Sequence, residues 1–223
     1  MSRNIQFVLR VFLVFLLMVF VGMTGLFAQT DAGRENPVLP PHGEEGDQPG
    51  SYPPITQQIT LAQGSNWISA DVEITLDDLK TALMEALGTN ATITIKSQTQ
   101  KAQYSNRRWV GQLSTLDVAQ MYKVTVSNAC VITLEGTPVN PQEHQITIKY
   151  GANWVAFPLD ERMSLDTAFS GFAINGDKVK SQTANAQFNR GMWMGQLDAL
   201  EPGQGFIYIS KSAENRTLTF PAY

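Results

Sequence analysis

The sequence predicts a strand-rich α+β protein of two tandem homologous repeats, each a small twisted antiparallel sheet or partial barrel with one short helix. Three observations predict it. Gln58-Ile59-Thr60-Leu61, followed by Gly64, Asn66 and Trp67, returns as Gln145-Ile146-Thr147-Ile148, followed by Gly151, Asn153 and Trp154. Lys96-Ser97-Gln98-Thr99 and Trp109-Val110-Gly111-Gln112-Leu113 return as Lys180-Ser181-Gln182-Thr183 and Trp193-Met194-Gly195-Gln196-Leu197, in the same order. Ordered return at nearly constant spacing is the mark of tandem duplication. Second, most apolar residues recur with period two in short runs, the pattern of half-buried strands. Third, each repeat holds a single stretch with helical spacing.

The first 28 residues carry Arg3 and Arg10, then an apolar run over 11–28 that ends on Gly25-Leu26-Phe27-Ala28. A positive start, a greasy middle and a small residue at the cut predict a secretory signal peptide cleaved near Ala28. An uncleaved anchor is the alternative, since about 18 apolar residues just span a bilayer. Residues 29–55 hold six prolines, an excess of acid and few large apolar side chains, which predicts a disordered tether.

Repeat 1, residues 56–136, opens with a strand over 59–61 and a second carrying Trp67 and Ile68. Thr75 then caps a helix with Asp78 three residues on, a capping box with Asp in place of Glu. Asp77 and Asp78 suit the positive helix start, Leu76, Leu79, Leu83 and Leu87 form its apolar stripe, and Gly88 stops it. Strands are predicted over 92–96, 103–104, 109–113, 122–126 and 131–134. A joint over 137–144 contains Pro138 and Pro141 and limits relative motion.

Repeat 2, residues 145–223, repeats the scheme. Ser164 caps a shorter helix bearing Leu165, Ala168, Phe169 and Phe172, and strands are predicted over 178–180, 186–188, 193–197, 206–209 and 217–220. Gly203-Gln204-Gly205 lacks the lysine and the helix of a phosphate loop, so it reads as a turn before an aromatic strand.

Without Arg3 and Arg10 the chain has 14 basic and 20 acidic residues, a net charge of −6. No basic patch follows a phosphate backbone, so nucleic acid is not an expected partner. Cys130 is the only cysteine, which rules out an intramolecular disulfide; its apolar neighbours predict a buried small hydrophobe. His42 falls in the tether and His144 at the joint, away from any serine or cysteine that either could activate. Neither a metal set nor a cofactor motif is present, and no enzyme activity is predicted.

The four tryptophans, Trp67, Trp109, Trp154 and Trp193, sit at matching places in the two repeats. Their placement and apolar neighbours predict core indoles. The functional alternative is a set of stacking platforms for sugar rings, with Tyr104, Trp109, Phe188 and Trp193 as the candidate ligand-stacking residues. Asn66 and Asn153 are expected to hold turns.

Together, Gly64 to Trp67, Gly151 to Trp154, the two Trp-x-Gly-x-Leu segments and Pro202-Gly203-Gln204-Gly205-Phe206 make residues 57–223 resemble a tandem-repeat accessory module of exported Bacteroidetes surface proteins. Ser65 and Ala152 replace that module's opening aromatic, and the first repeat lacks the Pro-Gly element. The resemblance implies an accessory part of secreted or cell-surface proteins with no catalytic residues to carry over. The expectation is therefore an exported, non-catalytic structural or adhesion-type module of the cell envelope, surface, secreted or periplasmic. Its expected partners are other envelope proteins or extracellular glycans, with membrane contact only through the signal segment. The alternative is a carbohydrate-binding module using exposed aromatic side chains.

Overall fold

The computed structural model describes residues 53–221. The expected signal peptide and nearly all of the expected tether lie outside them. The first half runs through β1 (Ile55–Leu61), β2 (Gly64–Ile68), α1 (Leu76–Leu87), β3 (Ile93–Lys96), β4 (Lys101–Ser105), β5 (Arg108–Gly111), β6 (Tyr122–Val126) and β7 (Cys130–Gly136). The second half has β8 (Ile146–Ile148), β9 (Gly151–Val155), β10 (Met163–Ser164), α2 (Leu165–Ala168), β11 (Lys178–Lys180) and β12 (Asn185–Asn189). It ends with β13 (Met192–Gly195), β14 (Ala199–Leu200), β15 (Phe206–Ser210) and β16 (Arg216–Leu218).

Each half builds a five-stranded antiparallel sheet, in the order β2-β6-β3-β4-β5 and then β9-β15-β11-β12-β13. Position for position the two orders are the same. Beside each sheet lies a two-stranded ribbon, β1 with β7 and β8 with β16. None of these sheets closes into a barrel, so of the two predicted forms the open sheet is the one adopted. β1 already begins at Ile55, where the tether was expected to continue. The bridge of β10 to β14 was not predicted, because two-residue strands have no period to read.

Apolar burial gives one cluster per half. Leu61, Leu79, Leu83, Ile93, Ile95 and Val124 centre the first, between α1, the ribbon and the sheet. In the second, Phe169 lies 5.1 Å from Tyr208, 5.5 Å from Trp193 and 5.8 Å from Phe206 between ring centroids, an aromatic hub where the first half uses a helix. α1 starts as predicted. The Thr75 hydroxyl accepts from the Asp78 N–H, and the Asp78 carboxylate accepts from the Thr75 N–H. α2 is a single turn capped by Ser164, with Phe169 as its C-cap, so Phe169 and Phe172 lie beyond the helix on which they were expected.

The doubled glycine of Trp-x-Gly-x-Leu has a steric cause. At Gly111 a Cβ would stand 2.2 Å from the Lys101 carbonyl oxygen, and at Gly195 2.2 Å from that of Asn185. Each carbonyl accepts two N–H groups, from Gln112 and Leu113 in one half and from Gln196 and Leu197 in the other. This is a bulge that bends the outer strand and leads Leu113 back to the core. The two asparagines hold turns, as expected. Asn66 Oδ1 accepts from the Ala62 N–H at 2.9 Å while its Nδ2 donates to Ala62 O, and Asn153 does the same with Lys149.

The joint is tied down by pairing. The Val139 N–H donates to Asp71 O, the Glu73 N–H to Thr137 O, and Val72 bridges Pro138. Buried Asp71 lies beneath it, with Oδ1 unpartnered among the described residues. Burial first, and the charge of Asp160 second, raise its pKa from 3.8 to about 6. A carboxyl whose pKa is raised on folding stabilises the fold fully below about pH 4, and that contribution is lost as pH rises through about 6. Asp71→Asn is therefore expected to gain about 1–3 kcal/mol relative to the parent between pH 4.5 and 7.5, read from urea melts across that range.

Candidate functional site

The doubled blocks meet where the halves touch. β2 and β9 are edge strands, and an edge strand presents unpaired N–H and C=O groups. Each edge is covered by a glutamine from the other half. Gln182 Oε1 accepts the Trp67 N–H at 2.9 Å and its Nε2 donates to Ser65 O at 2.8 Å. Gln98 does the same to the other edge, taking the Trp154 N–H at 2.9 Å and donating to Ala152 O at 3.0 Å. This exchange is reciprocal, as in a two-fold contact between like surfaces. Ser97 and Ser181 shape the two glutamine turns, each hydroxyl accepting from the second and third N–H ahead.

The 201–205 segment is more than a turn. Gln204 N–H donates to Glu201 O, and Gln120 N–H donates to Asp117 O in the other half, so the turn forms with or without glycine. Each turn also pairs across the junction: Ser69 N–H donates to Gly203 O, Gly205 N–H to Trp67 O, and Ala156 N–H to Ala119 O. Gly205 is required because a Cβ there would lie 2.2 Å from Met121 Cγ. Ser69 Oγ donates to Phe157 O at 2.6 Å and accepts the Phe157 N–H at 3.1 Å, locking the same seam.

None of the four indoles is fully buried, which corrects the expectation that they fill the cores. Trp109 and Trp193 pack one side on the clusters as cross-strand partners of Tyr104 and Phe188, at centroid distances of 5.3 and 5.2 Å. Trp67 and Trp154 belong to neither cluster. They flank Lys123, whose ammonium lies 4.5 Å from both ring centroids. Burial, then the charge of Lys96, pulls the Lys123 pKa down. Tyr104 is 5 % exposed and part of the core, so of the candidate stacking residues only Trp109, Phe188 and Trp193 keep any open surface. Cys130 is half-buried at the head of β7, and burial pushes its thiol pKa up.

The seam leaves two open clefts, each of about 450 Å³, at equivalent places. Trp67 and Asn66 meet Gln182 and Thr183 in one; Trp154 and Asn153 meet Gln98 and Thr99 in the other. Sequence reasoning named the doubled blocks but did not bring them together. The available signal was that exposed polar residues recur in both copies as faithfully as buried ones.

Among the described residues, no cluster of three or more His, Cys, Asp or Glu is placed to hold a metal ion, and no helix is long and apolar enough to cross a membrane. Compared with protein-family models, curated proteins and solved structures, the chain matches none.

Proposed function

We propose that this chain is an exported, non-catalytic structural or adhesion-type module of the bacterial cell envelope, formed by tandem duplication of one unit. The observation that carries the reading is the reciprocal clamp of Gln98 and Gln182 on the opposite strand edges. Gln98 and Gln182, held in both copies, are thereby committed to fixing one half against the other, which is what a spacer or adhesion module needs. Strand edges covered in this way also suit a protein that must stay unaggregated outside the cytoplasm.

The N-terminal Arg-flanked apolar run supplies the address in this reading, and the resemblance to accessory modules of exported proteins agrees with it. Fractionation of cells carrying the tagged full chain tests it. The expected result is protein in the envelope or medium with Gln29 at its N-terminus. Retention in the cytoplasm with the first 28 residues intact would overturn it.

A further inference from the structure

Most of the doubled residues have a task inside the fold. Asn66 and Asn153 staple turns, Gly111 and Gly195 permit bulges, and Gln98 and Gln182 cap edges. Several doubled polar pairs lack such a task, Gln103 with Gln187 and Gln112 with Gln196 among them; three of these pairs lie at the junction: Gln58 with Gln145, Thr60 with Thr147, and Thr99 with Thr183. All six residues of these three pairs are exposed, and their side chains enter no hydrogen bond among the described residues. They nevertheless converge, one set in each junction cleft.

We propose that the two junction clefts are equivalent binding sites for neutral sugar units of an oligosaccharide or polysaccharide. The proposal rests on the adhesion-type reading and names what is adhered to.

The chemistry of the lining selects the ligand class. The first cleft has no charged side chain; it offers amides, hydroxyls, backbone groups and one indole. Amides and hydroxyls both donate and accept, which matches sugar hydroxyls, and neither attracts an anion or a metal ion. The second cleft keeps the same set and adds Asp117 and Lys149, of opposite sign. Strand addition by a peptide at β2 or β9 is disfavoured, because Gln98 and Gln182 already occupy backbone groups of those two edges.

The test is an NMR titration of the mature chain with five neutral hexasaccharides: cello-, laminari-, malto- and mannohexaose and fully N-acetylated chitohexaose. At least one is expected to shift the backbone signals of 58–60 and 145–147 and the indole N–H signals of Trp67 and Trp154, at two sites per chain. Gln58→Ala with Thr183→Ala is expected to weaken the first site at least about tenfold and leave the second intact. Gln145→Ala with Thr99→Ala should do the reverse. Neither pair should move the melting temperature, because these side chains hold nothing within the fold. If no hexasaccharide shifts either cleft, the proposal fails. It fails equally if shifts fall only on Trp109, Phe188 and Trp193, or if an unrelated extended peptide shifts both clefts as strongly. Those outcomes leave the envelope reading standing, which the fractionation decides separately.

Discussion

Replacing Asp177 by alanine should lower stability by about 3–5 kcal/mol, roughly 10 °C in melting temperature by calorimetry. Asp177 is fully buried. Its carboxylate accepts from the Tyr208 hydroxyl at 2.6 Å, the Lys211 N–H at 2.7 Å, Arg216 Nη2 at 2.8 Å and the Ile174 N–H at 3.1 Å. Burial alone would push its pKa up, but these hydrogen bonds outweigh it and hold the pKa below the ordinary value. The stabilisation is therefore present above the unfolded pKa of 3.8 and is lost as pH falls through the lower folded one. Alanine would take the acceptor from the Tyr208 hydroxyl and the Lys211 and Ile174 N–H groups and the counter-charge from Arg216, which keeps only Phe172 O and Ser210 Oγ among the described residues. An unpaired buried group costs far more than a pair contributes.

The first half shows how the same place is built without charge. Val179 pairs with Tyr208 as Ile95 pairs with Val124, which puts Ile93 where Asp177 stands. The ribbon registers likewise set Cys130 opposite Leu61 where Arg216 sits opposite Ile148. The triple change Asp177→Ile, Tyr208→Phe and Arg216→Cys is accordingly expected to recover most of what Asp177→Ala loses. If the triple variant is no more stable than Asp177→Ala, orphaned polar groups are not the source of the loss.

Gly195→Ala should cost about 3 kcal/mol or more, and Gly111→Ala nearly as much, measured by urea unfolding. Both glycines have positive φ, +153 and +138, and both lack room for a Cβ beside a backbone carbonyl. Gly64→Ala is the control. Its φ is +96 but nothing lies within 4 Å of the added carbon, so about 1 kcal/mol of backbone strain is all it should show. Equal losses at Gly64 and Gly195 would mean that strain, and not the close strand approach, explains the doubled glycine.

Local signals were legible to the residue where the cause is local. Thr75 with Asp78 announces a helix start because a capping hydroxyl must lie three residues from the N–H that it accepts. Alternation located nearly all the strands, because one face of each is buried and the other is wet. The indoles were misread for a related reason. A doubled aromatic says that both copies need the ring, but a ring that covers a core edge and a ring that braces a seam look alike in sequence. Trp109 does the first and Trp67 the second.

The sequence by itself determined which blocks of residues recur, where most of the strands run and where the helices begin. These follow from spacing along the chain and from the conformations each residue type tolerates. Only the tertiary structure decided that Gln182 lies against Trp67 and Gln98 against Trp154, across separations of 115 and 56 residues, and that the seam leaves a pair of clefts. Such contacts are chosen by how two packed sheets present their edges to each other, and no local period encodes that.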